Sequence, residues 1–199
     1  MRSEGAGQPG AGPSRWAHRR RATHLHGGNR GRRRVTTPAD PARIFRDTIG
    51  HLPTGVTIVT ATGPDGPAGM TTNAVTSLSL DPLLLLVCFE ARSRTLEVVR
   101  AAGRFAVNVL RAGDEELATV FASKRVGPAK FEMLTDRAWS EQHGVPVLDR
   151  ALAWIACELR DLLPGGDHEI GVGEVLATGV GEPGAPLVFH RGDYTTVAG

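Results

Sequence analysis

The apolar residues of this chain change period several times, and most changes fall at a turn signal. "GVTIVTAT" (55–62) is β-branched and predicts a strand. "GPDGP" (63–67) is turn chemistry, after which "AGMTTNAVTSLSL" returns as one strand or a pair of short strands. "LLLLVCFE" (83–90) predicts a buried strand and "RFAVNVL" (104–110) another. The segments 151–163, 168–180 and 186–197 are also strand-like.

Helical spacing is rarer. Asp40 followed by Pro41 forms an N-cap with proline at the first helical position, opening "PARIFRDTIGHL". "RSRTLEVVRAAG" (92–103) predicts a helix capped by Ser93, with Leu96, Val99 and Ala102 facing inward and Gly103 ending it. "GDEELATVFAS" (113–123) has acidic residues in its first turn, as the helix dipole favours. Many strands, few helices and no strand–helix alternation point to a mainly β fold, a barrel with peripheral α-helices.

Charge divides the chain. Residues 1–39 carry nine Arg and one Glu, whereas 40–199 carry fourteen Lys or Arg against twenty Asp or Glu. The first part lacks apolar periodicity, cannot offset its ordering entropy by burial, and is expected to be a disordered tail before one domain at 40–199. Arg clusters can contact nucleic acid, but a solvated extension is the simpler expectation. His24 and His26 lack further ligands nearby, so no metal site is expected. No run of eighteen apolar residues predicts a membrane span, and no apolar stretch after the arginines suggests an export signal. Cys88 and Cys157 sit in apolar runs without a disulfide framework, which suggests the reducing cytoplasm.

The chemistry is concentrated in "GMTTNAVTSLSLDP" (69–82), where five hydroxyls and an Asn lead directly into an apolar run. A strand edge lined this way can offer hydroxyl, amide and backbone groups to a flat polar heterocycle. "RSRT" (92–95) precedes a helix, so its amides, Ser93, Arg94 and Thr95 can hold a phosphate. "LPTGV" (52–56) adds a hydroxyl and a flexible Gly. Taken singly, each has a plainer reading: Ser93 a cap, Thr54 a turn residue, Thr71 and Thr72 a solvated strand face. A literal GxGxxG at Gly179, Gly181 and Gly184 is interrupted by Pro183 and followed by a β-like segment, so it reads as a turn. With no P-loop, nucleophile elbow or Cys-x-x-Cys, the chemistry of an enzyme built here would belong to a cofactor.

In combination, "LPTGVTIVTA", "GMTTNAVTSLSLDP", "VCFEARSRT", "GRFAVNVL", "GDHEIGVGEV" and "PLVFHRGDY", in this order, resemble the flavin reductase family over roughly residues 40–197. These are split-barrel, FMN-binding NAD(P)H:flavin oxidoreductases, small components of two-component flavin monooxygenases. The resemblance implies a split β-barrel of Greek-key-like topology with peripheral helices, FMN or FAD with NADH or NADPH, a homodimer, and a separate monooxygenase that receives reduced flavin. It implies flavin contacts from Pro53, Thr54, Gly55 and Val56, from Thr71, Thr72, Asn73, Ala74, Thr76 and Ser77, and from Lys130 and Phe131. It places Ser93, Arg94 and Thr95 at the flavin phosphate. Gly166, Asp167, His168 and Tyr194 fall on the nicotinamide side, where His168 either orients the carboxamide, helps proton exchange, or is structural. The sequence departs from the family in one visible place: Leu83 follows Asp81-Pro82 where a second proline is frequent. Two rival readings stay open, a related flavoprotein with tightly bound FMN acting on a small substrate, and a non-enzymatic binding module with a nucleic-acid-binding tail.

Overall fold

The computed structural model describes residues 40–124, 127–134 and 138–197. The predicted Arg-rich tail, with His24 and His26, lies outside the described residues.

Twelve strands and four helices are present among the described residues. α1 (Pro41–Ile49) begins as its sequence implies, with the Asp40 carboxylate accepting from the amides of Ala42 and Arg43. β1 (Thr54–Gly55) pairs with β11 (Leu187–His190), which turns back into β12 (Asp193–Thr196). The remaining long strands form one antiparallel sheet in the order β3 (Gly66–Thr72), β2 (Thr57–Gly63), β6 (Arg104–Val109), β9 (Ala153–Gly165), β10 (His168–Val180), β5 (Leu83–Glu90), β4 (Val75–Leu80).

The order of that sheet explains its shape. β3 and β4 are its two edges, yet only Asn73 and Ala74 separate them in the chain. Six interstrand spacings in a flat sheet would part the edges by about 29 Å. Three Cα steps span at most about 11 Å. The sheet therefore curls until its edges approach at Asn73–Ala74, which is the geometry of a split barrel. Register shifts in β10 at Val172/Gly173 and Val175/Ala177 supply local bends.

The curled sheet encloses Val59, Val87, Phe89, Phe105 and Val107, closed at one side by Leu96 and Val99 of α2 (Arg94–Ala102). Gly103 ends α2 in the left-handed conformation, φ 65°. The predicted inner face of α2 needs one change: Thr95 is buried and Ala102 is exposed. In β5 only alternate residues, Leu85, Val87 and Phe89, are fully buried, so the strand is one-sided rather than covered on both faces. A second apolar cluster joins Ile58, Leu110 and Leu187 to Phe121 of α3 (Glu115–Ala122) and Phe131 of α4 (Gly127–Phe131).

α4 and the hairpin of β7 (Trp139–Gln142) with β8 (Val145–Leu148) have no counterpart in the sequence-based expectation. The hairpin is anchored by a buried polar network. Asn108 Nδ2 donates to Ile58 O (3.1 Å) and Thr60 Oγ1 (3.2 Å), and its Oδ1 accepts from the Leu148 amide at 2.8 Å. Thr60 donates in turn to the Pro146 carbonyl. Every polar atom of this network has a partner, which removes the desolvation cost of burying it. No described helix is long and apolar enough to cross a membrane.

Candidate functional site

β3 carries the polar stretch along the open side of the fold, and its hydrogen bonds run outward to three neighbours. Thr71 Oγ1 donates to Ala118 O of α3 at 2.6 Å. The Thr72 carbonyl accepts from Thr57 Oγ1 at 2.7 Å, while the Thr72 hydroxyl accepts from the Ala74 amide at 3.1 Å. Asn73 Nδ2 donates to Thr54 Oγ1 at 2.9 Å, tying this stretch to the one around β1.

One cleft lies along β3 and a second opens at Asn73, just past the end of the strand. The first, of about 510 Å³, is lined by Gly69, Met70 and Thr71, by Ser93, Arg94 and Thr95 at the start of α2, and by the basic residues Arg92, Lys124 and Lys130. Glu90 is the acidic residue in its lining. Arg92, Arg94, Lys124 and Lys130 enter none of the ion pairs among the described residues. Lys130 is only 5% exposed. Its ammonium donates to Gly69 O (3.1 Å) and Phe121 O (2.8 Å) and lies 5.9 Å from the Phe121 ring centroid. Burial pushes its pKa below the ordinary lysine value.

The start of α2 contributes differently from a capped helix. Ser93 occupies the N-cap position, but its hydroxyl makes no capping bond and donates to Met70 Sδ at 3.3 Å. The first intrahelical bond is Glu97 N to Ser93 O, so the amides of Arg94, Thr95 and Leu96 precede the helical ladder. Uncapped amides, guanidinium groups and a buried ammonium make a donor set suited to a phosphate.

The second cleft, of about 980 Å³, lies between α1 and the β1–β11 pair and is lined by Thr54, Asn73, Phe189, Leu52 and Arg191. Tyr194 stands behind Phe189, the two rings meeting edge to face at 5.6 Å. Thr54, Asn73, Tyr194 and their neighbours thus form one group. Thr71, Ser93, Arg94, Thr95 and Lys130 form the other, and β3 joins them.

Other implied residues stand apart from both clefts. The Val56 side chain is buried in the core, and its amide and carbonyl are bonded to Leu187 O and Leu110 N. Phe131 is packed edge to face between Phe121 and Trp139. Thr76 and Ser77 are exposed on the edge strand β4. Pro53 and Gly55 are exposed beside Thr54.

Gly166, with φ 83°, Asp167 and His168 make the β9–β10 turn. The Asp167 carbonyl accepts from the Ala91 amide at 3.0 Å, which sets the turn beside the loop leading into Ser93. His168 Nδ1 lies 2.8 Å from Asp167 Oδ1, and that hydrogen bond, then the imidazole charge, holds the exposed Asp167 carboxyl below the usual carboxylate range. Sequence reasoning took in Arg92 as the first residue of "RSRT" without giving its side chain a role, and missed Lys124 as a cleft residue. A lone basic residue in a loop carries no periodicity, and only its position just after α3 signals Lys124.

The comparisons agree with the fold and with the motifs. The sequence profile described as "Flavin reductase like domain" matches residues 49–198. A Rhizobium meliloti protein named "Probable flavin reductase" is 41% identical over 159 residues, covering 79% of this chain but 49% of its own length. This chain therefore spans about half of that relative. The reductase subunit HsaB of a flavin-dependent monooxygenase from Mycobacterium tuberculosis is 36% identical over 165 residues, 82% of this chain and 86% of HsaB. Among solved structures, the Streptomyces globisporus NADH:FAD oxidoreductase SgcE6 in complex with NAD and FAD fragments superposes with a TM-score of 0.73 at 35% identity, covering 82% of this chain and 98% of SgcE6. On the profile match and these identities, the chain belongs to the flavin reductase like domain family.

Proposed function

We propose that this chain catalyses NAD(P)H-dependent reduction of FMN or FAD and passes the reduced flavin to a separate flavin-dependent monooxygenase. The observation that carries the reading is the course of β3, which runs from the Thr54–Asn73 polar patch to a cleft bearing four cationic side chains. A flavin has the same layout, a polar ring system at one end and a phosphate at the other. When bound, the flavin supplies the hydride-accepting ring.

The chain's own residues do the rest. Thr71, Ser93, Arg94, Thr95 and Lys130 hold the phosphate end. Thr72, Asn73, Ala74 and Thr54 present hydroxyl, amide and backbone groups to the ring edge, where reduction increases negative charge. Pro53, Gly55, Val56, Thr76, Ser77 and Phe131 act around this set as supporting positions. We assign Gly166, Asp167 and His168, in the turn beside the loop into Ser93, to the nicotinamide side, together with Tyr194, which stands behind Phe189 at the other cleft. His168→Ala is expected to raise the KM for NADH while leaving the flavin Kd unchanged.

The chain works as a homodimer in this proposal. α1 buries none of its residues, and Phe45 on it is 67% exposed. Ile44, Ile49 and Leu52, on or just after the same helix, are 46%, 49% and 59% exposed. Uncovered apolar side chains of this kind favour a protein interface. Steady-state oxidation of NADH and NADPH, with and without added FMN, FAD or riboflavin, tests the function. Flavin-dependent turnover by the full chain is expected; folded protein that is inert with every flavin overturns the reading.

A further inference from the structure

The cationic cleft does not end at its arginines. A groove of about 410 Å³ continues beyond it, and the two share Ala68, Arg92, Arg94 and Gly127 in their linings. β3 passes beneath both: Thr71 and Gly69 face the first, Pro67 and Gly66 the second. From Asn73 to Gly66 the backbone extends about 23 Å at the usual rise of a strand. The stretch Gly66–Asn73, β3 and the residue after it, therefore touches three successive cavities, and the two that β3 itself lines meet at a pair of arginines.

The groove differs in chemistry from the cleft. Its walls are the rigid rings of Pro64, Pro67 and Pro128, with Val98 on one side. Its polar groups apart from the shared arginines are the carboxylates Asp65 and Glu97. Gly127 lets α4 close against β3, since a Cβ there would stand 2.8 Å from the Pro67 carbonyl. Flat apolar walls suit an aromatic base, carboxylates accept from ribose hydroxyls or an exocyclic amine, and the arginine pair suits a pyrophosphate.

We propose that this groove binds the adenosine monophosphate half of FAD, so that the chain selects FAD over FMN. The proposal rests on the flavin-reductase reading. An adenosine diphosphate moiety also occurs in NAD(P)H, but a pyrophosphate at Arg92 and Arg94 is continuous with a flavin phosphate in the neighbouring cleft, which favours FAD. Glu97 is exposed on α2 and lines the groove without lining the flavin cleft, so Glu97→Trp blocks the groove at little risk to folding.

The test measures Kd for FAD, FMN and riboflavin, and KM for NADH, on the full chain and on Glu97→Trp. Charge-assisted arginine contacts of this kind correspond to about tenfold in affinity or more. The wild-type chain is expected to bind FAD about tenfold more tightly than FMN, and Glu97→Trp to abolish that difference with the FMN Kd unchanged. Equal affinity for FAD and FMN in the wild type overturns the proposal while leaving the reductase reading intact. A raised KM for NADH with FAD and FMN affinities unaltered also overturns it, assigning the groove to the nicotinamide dinucleotide. Absence of binding by all three flavins defeats the underlying reading itself.

Discussion

Lys130 holds its ammonium in a place where a lysine charge is costly, between two carbonyls and the face of Phe121. The third N–H of such a group remains for a ligand, and an anion in the cleft would offset the desolvation that depresses the pKa. Lys130→Met is expected to weaken FMN binding by about tenfold or more, the value of a charge-assisted hydrogen bond. Riboflavin, which lacks the phosphate, serves as the control and should bind unchanged; equal losses for both would remove Lys130 from the phosphate site. The pH dependence has two opposite arms. Because the folded pKa lies below the unfolded one, the unfolded chain binds more protons between them, so stability rises with pH in that window. Affinity for FMN should fall over the same window, beginning below the ordinary lysine value of 10.5. Titration calorimetry across alkaline pH reads this directly. The sequence marked Lys130 only through a family resemblance, since its burial depends on α4, an element without periodic pattern. Ser93 shows the reverse case: its position as helix N-cap was legible, but the direction of its hydroxyl toward Met70 was not.

At the scale of elements, the strands were legible because β-branched and apolar runs fill the core, on both faces in β2 and β6 and on one face in β5, and turn residues mark their ends. The short β7–β8 hairpin escaped because what fixes it is distant in sequence, the Asn108–Leu148 bond and the Thr60–Pro146 bond. The glycines of "HEIGVGEV" acquire a reason from packing. Gly171 and Gly173 of β10 leave room for the rings of Phe89 and Phe105, which meet edge to face at 5.9 Å. A Cβ on Gly173 would lie 2.6 Å from Phe105 Cζ and 2.8 Å from Cys157 Cβ. Gly173→Ala is therefore expected to destabilise the fold by about 1–3 kcal/mol, the usual cost of overpacking, measured by chemical denaturation. An unchanged denaturation midpoint would mean that β10 shifts freely, contrary to the close packing seen here. This explanation also separates these glycines from Gly179, Gly181 and Gly184: Gly179 lies within β10 paired with Trp154, and Gly181 and Gly184 lie in the loop before β11, so the stretch is a strand end and a loop where the sequence suggested a turn.

For the whole molecule, the barrel was legible as a class and the position of its split was not. That position follows from strand order, which places the polar stretch where the two sheet edges meet. α1 has its apolar residues uncovered, and its amphipathic pattern does not reveal what covers it. Sedimentation of the full chain is expected to give twice 21.1 kDa, and Phe45→Glu to shift it toward the single-chain mass. A monomeric wild-type chain would remove the homodimer from the account. The central claim is that this chain itself reduces flavin. Its most direct measurement is anaerobic mixing of the full chain with NADH and FMN or FAD, following the loss of oxidised-flavin absorbance. Without oxygen, flavin is the acceptor present, so catalysed bleaching at a rate proportional to protein is the result predicted. Bleaching no faster than in protein-free controls, with the chain folded, would contradict the account.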